Sequence, residues 1–481
     1  MHLLIQHGEI VTATATEMAD VLCCDGKIIA IGPNLTAPAD AQIIDARGHL
    51  IFPGFIDPHV HIYLPFMGTF AADNYASASR AALMGGTTTL IEMCCPSRAD
   101  DPREAIALWK SKAAGISSCD YTFHMGMTRF DESSAELMKH IIEEEKVISF
   151  KVFLAYKGAF GIDDTELYQT LATAASLGAV VTVHCENAEL VSQLQRQLVA
   201  EGKIGPEWHE PSRPMAVEAE GCHHLVTFAE MTGAEVYVVH TSCQAAVDIL
   251  QSARAKGVNV HIETVAPYLT LDSSYAELLD FEGAKYVMSP PLRERAQQDF
   301  LWSALADGRI DVVATDHAPF DFSSQKCMGH PDPARCLDAH GKPTGNSGNF
   351  TLIPNGIPSV EERVKLLYTH GVCTGRIDLQ TFVRCASTRA AEIFGLYPRK
   401  GTIAIGSDAD LVVWNPEWSG TISAETHAMN VDYSAFEGWP IKGRAEWVTV
   451  RGKIMVQNAQ WTGDQGHGQF LERTISRKDD C

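Results

Sequence analysis

From about residue 50 to residue 396 the chain alternates between short apolar runs and longer segments with helical spacing. Short apolar runs bounded by turn residues are typical of buried strands, and apolar positions three or four apart predict the helices between them. The pattern predicts eight strands, at 50–58, 87–93, 121–127, 147–153, 179–184, 235–240, 258–264 and 310–315. Eight strands alternating with helices predict an α/β fold of the (β/α)8 TIM-like barrel type. An open doubly wound sheet is disfavoured because no glycine-rich phosphate loop follows the first strand.

The two ends of the chain have a different pattern, with short apolar runs separated by turns and no helical spacing. Asp25-Gly26 between two apolar runs predicts a β-hairpin. Both ends are too small to fold alone, so we expect them to pair in one small β-sandwich beside the barrel. The predicted division is 1–54 and 396–460 for the sandwich, 55–395 for the barrel, and 461–481 for a polar tail or an arm to a neighbouring subunit.

Composition narrows the classes of partner. Hydrophobic residues make up 46% and charged residues 20%, as in ordinary globular proteins. The 38 Lys and Arg against 60 Asp and Glu give a net charge of −22, which disfavours nucleic acid and anionic membranes as partners. No apolar run approaches the roughly 18 residues of a membrane helix, and the amino terminus lacks signal-peptide character. The 13 scattered cysteines indicate a reduced, cytoplasmic protein.

Metal-ligand types of residue stand at the carboxyl ends of the first, fourth, fifth, sixth and eighth predicted strands. They are His59 and His61, Lys151, His184, His240, and Asp316. Residues two apart in a strand face the same side, so the first pair can point into one site. Active sites of such barrels lie at this end of the strands. The sequence therefore predicts a metal site there, and it leaves His124, His209, His223, His224 and His261 as structural residues.

Eight motifs resemble those of the cyclic amidohydrolases in the amidohydrolase superfamily, and within them those of the dihydropyrimidinases and hydantoinases. The motifs are GFIDPHVH (54–61), KVFLAY (151–156), VHCEN (183–187), VHTS (239–242), MSPPLR (288–293), TDH (315–317), FTLIPNG (350–356) and GSDAD (406–410). The resemblance extends from about residue 1 to residue 460.

The resemblance implies two Zn²⁺ ions per subunit, for which Mn²⁺ or Co²⁺ are also suitable. Lys151 would be carboxylated to N6-carboxylysine and would bridge the two ions together with a hydroxide. This reaction with carbon dioxide needs a neutral amine, so burial must lower the pKa of Lys151. His59, His61 and Asp316 would complete one ion, and His184 and His240 the other. Asp57 would orient a ligand rather than bind metal.

The implied activity is hydrolysis of the ring amide of dihydropyrimidines or 5-substituted hydantoins to N-carbamoyl amino acids. Asp316 would transfer the proton, and Tyr156 would donate to the oxyanion. Ser289 and Asn355 would bind the ring through backbone groups. Leu64, Phe153 and Phe160 would form an apolar wall beside the ring substituent, under a gate formed by residues 62–70. The partner would be this small molecule alone, and the family's assemblies imply a homo-oligomer, either a dimer or a tetramer.

Alternatives remain open within the resemblance. One alternative is another ring in the same superfamily, as for an allantoinase or a cyclic imide hydrolase. The other is a catalytically inactive dihydropyrimidinase-like assembly protein, which the presence of every metal ligand disfavours, because such proteins have lost metal ligands. Tyr63 stands where dihydroorotases have an arginine, which argues against dihydroorotate as substrate. The loop 323–348 is longer than expected and is interpreted as a lid. Its Cys327, His330, Cys336 and His340 offer a second interpretation, an additional metal site.

Overall fold

The computed structural model describes residues 2–338 and 340–475 of the chain. The amino-terminal segment forms five strands: β1 (His2–Val11), β2 (Thr16–Cys24), β3 (Lys27–Gly32), β4 (Gln42–Asp45) and β5 (Leu50–Pro53). Strands β2 and β3 are antiparallel and are joined by the predicted turn at Asp25 and Gly26. Both turn residues have positive φ, of 46° and 83°, as a two-residue hairpin of the I′ pattern requires.

The middle of the chain contains the barrel strands and one small hairpin. These strands are β6 (Phe55–Val60), β7 (Pro65–Phe66), β8 (Thr69–Phe70), β9 (Thr87–Cys94), β10 (Asp120–Gly126), β11 (Ser149–Phe153), β12 (Val180–His184), β13 (Glu235–Val238), β14 (Val260–Val265) and β15 (Val312–Ala314). All except the β7–β8 hairpin pair in parallel, in the order β6-β9-β10-β11-β12-β13-β14-β15. A bridge between Val60 and His317 brings the last strand back to the first. The predicted barrel is confirmed.

The first predicted strand, 50–58, is in fact two strands that belong to different sheets. β5 lies between β1 and β16 (Leu411–Thr421) in the terminal sheet, whereas β6 pairs with β9 in the barrel. Gly54 separates the two, and a Cβ at this position would lie 2.1 Å from Oγ1 of Thr88. Because only glycine permits this close approach, the chain changes sheets at Gly54.

Helices fill the connections between the barrel strands and, in the described part of the chain, three more follow the last of these strands. They are α1 (Tyr75–Met84), α2 (Pro102–Ala113), α3 (Ser134–Glu143), α4 (Asp164–Leu177), α5 (Ala188–Ala200), α6 (Met215–Thr232), α7 (Gln244–Ala255), α8 (Ala266–Thr270), α9 (Ala296–Ala306), α10 (Arg363–Leu367), α11 (Leu379–Val383) and α12 (Arg389–Ile393). Helix α4 shows how the sequence sets their limits. A capping box of Asp163 and Glu166 begins it, and Gly178 ends it in the left-handed conformation.

The carboxyl-terminal segment returns to the sheet that the amino terminus began. Its strands are β16, β17 (Pro440–Val450), β18 (Lys453–Gln457) and β19 (Gln460–Trp461), and the sheet order is β19-β18-β17-β16-β5-β1-β2-β3, with β4 beside β1. The two ends share one apolar core, formed by Leu3, Ile5, Ile10, Ala19, Val21, Cys23, Ile28, Ile44, Ala46, Ile51, Ile403, Ala409, Leu411 and Val413. Neither end could bury this surface alone.

The predicted tail, 461–481, follows the barrel of its own chain as far as residue 475. Backbone bonds join the amide of Leu471 to the carbonyl of Tyr121 and the amide of Gly468 to the carbonyl of Ser117. The guanidinium of Arg473 is buried and donates to Oγ of Ser149. Residues 476–481 lie outside the described part of the chain.

Among the helices described, none combines the length and the apolar character that a membrane crossing requires. No disulfide joins the cysteines between residues 2 and 475 that the structure describes.

A buried ion cluster joins the barrel to the terminal sheet. Nζ of Lys400 lies 2.6 Å from a carboxylate oxygen of Asp120, 2.6 Å from one of Asp410 and 3.0 Å from one of Asp408. Burial acts against the ammonium, but the three carboxylates outweigh it and raise the pKa of Lys400 above its ordinary value. Asp120 begins β10, whereas Asp408 and Asp410 precede β16, so one side chain holds both sheets.

We expect Lys400→Met to lower the free energy of unfolding by about 3–5 kcal/mol, because it leaves the buried carboxylate of Asp410 without a counter-charge. Asp120 keeps its ion pair with Arg451, and Asp408 keeps those with Lys27 and Arg399. Chemical denaturation followed by circular dichroism measures this loss. Lys139→Met on the exposed face of α3 is the control, expected to change stability by less than about 0.5 kcal/mol. Equal stability of the two variants would contradict the role of the cluster.

Candidate active site

One pocket lies at the carboxyl ends of the barrel strands, with about 470 Å³ of empty space. It brings together all the residues that the sequence predicted for metal and substrate, and adds Phe66 and Ala318. The predicted residues in its lining are His59, His61, Leu64, Lys151, Phe153, Tyr156, Phe160, His184, His240, Ser289, Asp316 and Asn355. Their roles remain predictions, but their positions put them within reach of one small molecule.

A first ligand group consists of His59, His61 and Asp316. Nε2 of His59 and Nε2 of His61 lie 3.1 and 3.2 Å from the same oxygen, Oδ1 of Asp316. One ligand atom from each residue lies within 4.8 Å of the others, as a shared metal ion requires. Burial lowers the pKa of His61 to about 4. Burial also opposes the charged form of Asp316, but His59 and His61 outweigh it and hold that carboxyl pKa well below its ordinary value.

A second group faces the first. Nδ1 of His184 lies 3.0 Å from Nε2 of His240, and the ring centroids of His240 and His59 are 5.4 Å apart. Nε2 of His184 is held by Oε2 of Glu186 at 2.8 Å. Nδ1 of His184 and Nε2 of His240 therefore point toward a common position, as two imidazole ligands of one ion do.

Lys151 lies in the same pocket, and the residue is 1% exposed. Nζ of Lys151 has no hydrogen-bond partner among the described residues. Burial disfavours the ammonium and lowers the pKa of Lys151 to about 8. A much larger share of this amine is therefore neutral near pH 7 than of an exposed lysine, which is the condition for its reaction with carbon dioxide.

Glu263, near the carboxyl end of β14, was not predicted from the sequence. Its Oε1 lies 2.7 Å from Nδ1 of His59 and accepts the backbone N–H of His240 at 2.9 Å, and its Oε2 accepts the hydroxyl of Tyr237. One carboxylate thus orients a ligand from each group. Burial would lower the pKa of His59, but the carboxylates of Glu263 and Asp316 raise it to about 9. The available signal was an acidic residue within a predicted barrel strand.

Glu186 has the same relation to the second group, and it was also missed. It holds His184 and accepts a buried bond from Arg213. Burial would raise the pKa of Glu186, but Arg213 and His184 outweigh it and lower this pKa to about 2. Asp57 accepts the backbone amides of His59 and Thr315 and so fixes strand ends.

Three residues of the pocket have the left-handed backbone conformation, which is unfavourable for residues other than glycine. They are Tyr156, His240 and Asp316, with φ of 58°, 40° and 52°. Such strain persists only where surrounding contacts enforce it, and it is concentrated at functional sites. Here it directs each side chain from a strand end into the pocket.

The polar side of the pocket is formed by Tyr156, Asn355 and Ser289. Nδ2 of Asn355 donates to the hydroxyl of Tyr156 at 3.3 Å. Oγ of Ser289 lies 3.4 Å from Nε2 of His209, which also contacts the carbonyl of Met288 at 2.8 Å. His209 lies outside the lining and supports the segment that carries Ser289.

The apolar side is an aromatic cluster. The ring of Phe66 stacks on Phe160 at 6.2 Å between centroids and meets Tyr156 edge-on at 5.5 Å. Phe153 lies 5.6 Å from Phe160, and Leu64 completes the lining. Phe66 and Leu64 come from the predicted gate, where residues 65–70 form the β7–β8 hairpin.

The Amidohydrolase family model matches residues 50–455. The chain belongs to the Amidohydrolase family. A D-hydantoinase of Geobacillus stearothermophilus is 44% identical over 473 residues, which are 98% of this chain and 97% of that relative. The dihydropyrimidinase of Rattus norvegicus is 36% identical over 477 residues, 98% of this chain and 88% of the relative. The solved structure of a D-hydantoinase (dihydropyrimidinase) from Thermus sp. is 55% identical, with a TM-score of 0.93 over 98% of this chain and 99% of that one.

Amidohydrolases are metal-dependent, and the pocket of this amidohydrolase suits metal ions. Nζ of Lys151 is buried and unpartnered, and two groups of nitrogen and oxygen atoms converge beside it. Without metal ions, these polar atoms would lie in a low-dielectric site with too few partners. Imidazole and carboxylate donors in this number suit zinc and similar divalent ions.

The loop 323–348 contributes no residue to the lining of this amidohydrolase's pocket. Sγ of Cys327 and of Cys336 donate to backbone carbonyls, and Nδ1 of His330 accepts an amide N–H. Across residues 2–338 and 340–475, the cysteines and histidines of this loop form no three-ligand group. The additional metal site is therefore not supported.

We expect Glu263→Gln to weaken metal binding by about 10–100-fold, because the amide supports the ligand histidines less well than a carboxylate. Metal affinity is measured by competition with a chelating dye. The control is Glu446→Gln, which makes the same change at a buried position of β17 in the terminal sheet. If metal affinity is the same in both variants, Glu263 does not support the centre.

Proposed function

We propose that this chain is a dinuclear zinc cyclic amidohydrolase of the dihydropyrimidinase or hydantoinase type. It would hydrolyse the ring amide of dihydropyrimidines or 5-substituted hydantoins and yield N-carbamoyl amino acids. The observation that carries the proposal is the buried, unpartnered amine of Lys151 in a pocket with two groups of converging ligand atoms. The relatives named D-hydantoinase and dihydropyrimidinase, which align over nearly the whole chain, support it.

We assign one ion to each of the two candidate ligand groups. His59, His61 and Asp316 would hold one ion, His184 and His240 the other, and Lys151, carboxylated by carbon dioxide, would contact both. When bound, the two ions would polarise the ring carbonyl and lower the pKa of the attacking water. Mn²⁺ or Co²⁺ could replace zinc with these donors.

The chain's own residues would supply proton transfer and oxyanion stabilisation. Asp316 is ionised because, despite its burial, the neighbouring histidines hold its pKa below the ordinary value, and this carboxylate would accept the proton of the attacking water and return it to the leaving ring nitrogen. The hydroxyl of Tyr156 would donate to the oxyanion that develops on the attacked carbonyl. Backbone groups near Ser289 and Asn355 would bind the ring's other carbonyl and its N–H.

The lining also indicates which ring substituents fit. Leu64, Phe66, Phe153 and Phe160 make one side apolar, and Lys151 is the only Lys or Arg among the described lining residues. The side chain of Tyr63 packs against Trp109 with ring centroids 4.8 Å apart, away from the lining. A charged carboxylate on the ring would therefore lose its hydration without gaining a counter-charge.

We also propose a homo-oligomer, a dimer or a tetramer, located in the cytoplasm. The cysteines in the described residues are free, which is consistent with a reducing compartment.

Lys151→Ala is expected to lose bound metal and to lower kcat by at least about 10²-fold, because no anion then lies between the ions. Short carboxylic acids such as propionate should restore part of both losses, since they supply a carboxylate of similar size. Elemental analysis and a ring-opening assay follow the two quantities.

The control for this rescue is Lys342→Ala, an exposed position for which propionate should change nothing. Retention of both metals with near-normal turnover in Lys151→Ala would exclude the dinuclear assignment.

The apolar wall predicts the substrate range. The unmodified enzyme should open dihydrouracil and hydantoins with no or apolar 5-substituents, and it should not open dihydroorotate. Leu64→Ala or Phe160→Ala should shift preference toward bulkier 5-substituents by about 1–3 kcal/mol, measured as the ratio of kcat/KM values across a substrate panel.

Leu108→Ala, on the surface of α2 where the side chain is 40% exposed, is the matched control and should leave the ratios unchanged. Efficient opening of dihydroorotate, or of allantoin or succinimide in place of hydantoin and dihydrouracil, would replace the proposed substrate class.

A further inference from the structure

Lys326 is a fully buried lysine that the proposed chemistry does not use. Its exposed fraction is 0%, and it lies in the first turn of the loop 323–348. Among the described residues no carboxylate contacts it. Nζ of Lys326 instead donates to two backbone carbonyls, those of Val287 and Pro354, both at 3.0 Å.

The two carbonyls belong to the backbone segments that carry the proposed ring-binding residues. Val287 precedes Ser289 by two positions, and Pro354 directly precedes Asn355. The segments also meet directly, because the N–H of Gly356 donates to the carbonyl of Val287 at 2.9 Å. Lys326 therefore lies across the junction of the two segments and bonds to both.

The neighbouring residue, Gln325, makes the corresponding bonds to the β7–β8 hairpin. Its Nε2 donates to Oγ1 of Thr69 at 2.7 Å and to the carbonyl of Phe70 at 2.6 Å, and its Oε1 accepts the N–H of Asp321 at 2.7 Å. Thr69 pairs with Phe66 across the hairpin, and Phe66 is part of the aromatic wall.

The loop packs tightly where these two residues leave it. A Cβ on Gly329 would lie 2.2 Å from Cγ1 of Ile353, so the turn after Lys326 rests directly on the segment that leads to Asn355. The outer part of the loop, around Lys342, is exposed. The contacts with the pocket walls are therefore concentrated in its first turn.

We infer that Gln325 and Lys326 are positioning residues that set the spacing of the three walls of the substrate pocket. Lys326 holds the two ring-binding segments together, and Gln325 holds the hairpin that faces the ring substituent. The inference rests on the proposed function for what the pocket binds. It gives the loop 323–348 a role at its base, in substrate recognition, that neither a lid nor a metal site describes.

Lys326→Met tests the two hydrogen bonds of Lys326, to the carbonyls of Val287 and Pro354, because methionine has a similar length and no hydrogen-bond donor. We expect KM for hydantoin and dihydrouracil to rise by about tenfold or more, with a smaller fall in kcat and unchanged metal content. Lys326→Gln keeps two N–H donors and should lie between Met and the parent. Lys342→Met, in the exposed part of the same loop, should leave KM unchanged.

Hydrogen exchange gives a readout that does not depend on catalysis. In Lys326→Met the peptides covering residues 286–291 and 353–357 should exchange faster than in the parent and in Lys342→Met, while strands β11 and β12 keep their protection. Unchanged KM together with unchanged exchange would overturn the role of Lys326.

Gln325→Ala is a second variant, which removes the hydrogen bonds to Thr69 and Phe70 and does not depend on the folding of Lys326→Met. It should change the ratio of kcat/KM between a bulky 5-substituted hydantoin and hydantoin itself by about tenfold, and it should leave hydantoin nearly unaffected. An unchanged ratio would overturn the role of Gln325. If the parent protein opens none of these rings, the proposed function fails, and the exchange measurement still decides whether Lys326 holds the two segments.

Discussion

The burial of Lys151 is the constraint on which the rest of the site depends. A buried amine disfavours its charged form, so its pKa is lowered to about 8 and the neutral amine becomes accessible. Once carboxylated, the same side chain would carry a negative charge in a low-dielectric pocket, which is unfavourable unless cations lie beside it. The two groups of candidate imidazole and carboxylate ligands provide places for those cations. The carboxylated lysine would therefore be stable only with the metal ions bound, and the ions would bind tightly only beside the carboxylated lysine.

Residues that bond to the candidate ligand side chains hold this arrangement in place. The candidate ligand imidazoles are buried and would need to keep one nitrogen directed into the pocket, and Glu263 and Glu186 hold the opposite nitrogens of His59 and His184. The backbone of His240 and of Asp316 is strained, with positive φ. Surrounding contacts must hold both residues in this conformation, because it is unfavourable without them. The carboxylate supports come from inside the barrel, whereas the substrate walls are held from the surface loop through Gln325 and Lys326.

The sequence was sufficient for the barrel and for the placement of the candidate ligand residues in one pocket, and the reason is geometric. Parallel strands bring their carboxyl ends together, so His59, His184 and Asp316 could be placed in one site from strand ends alone. The boundary at Gly54 could not be placed, because a continuous apolar run does not show that the chain changes sheets where Thr88 leaves no room for a side chain. Glu263 and Lys326 were missed because their contacts are distant in the chain and no local pattern marks them. Glu263 contacts His59, 204 positions away, and Lys326 contacts carbonyls 39 and 28 positions away.

A crystal structure of the zinc-loaded protein would show whether carboxylated Lys151 lies between two metal ions. Anomalous differences recorded above the zinc absorption edge would locate the ions, and the electron density beyond Nζ would show the modification. We expect two anomalous peaks, one beside His59 and His61 and one beside His184 and His240, with carboxylate density on Lys151 reaching both. A single peak with density that ends at Nζ of Lys151 would contradict this expectation.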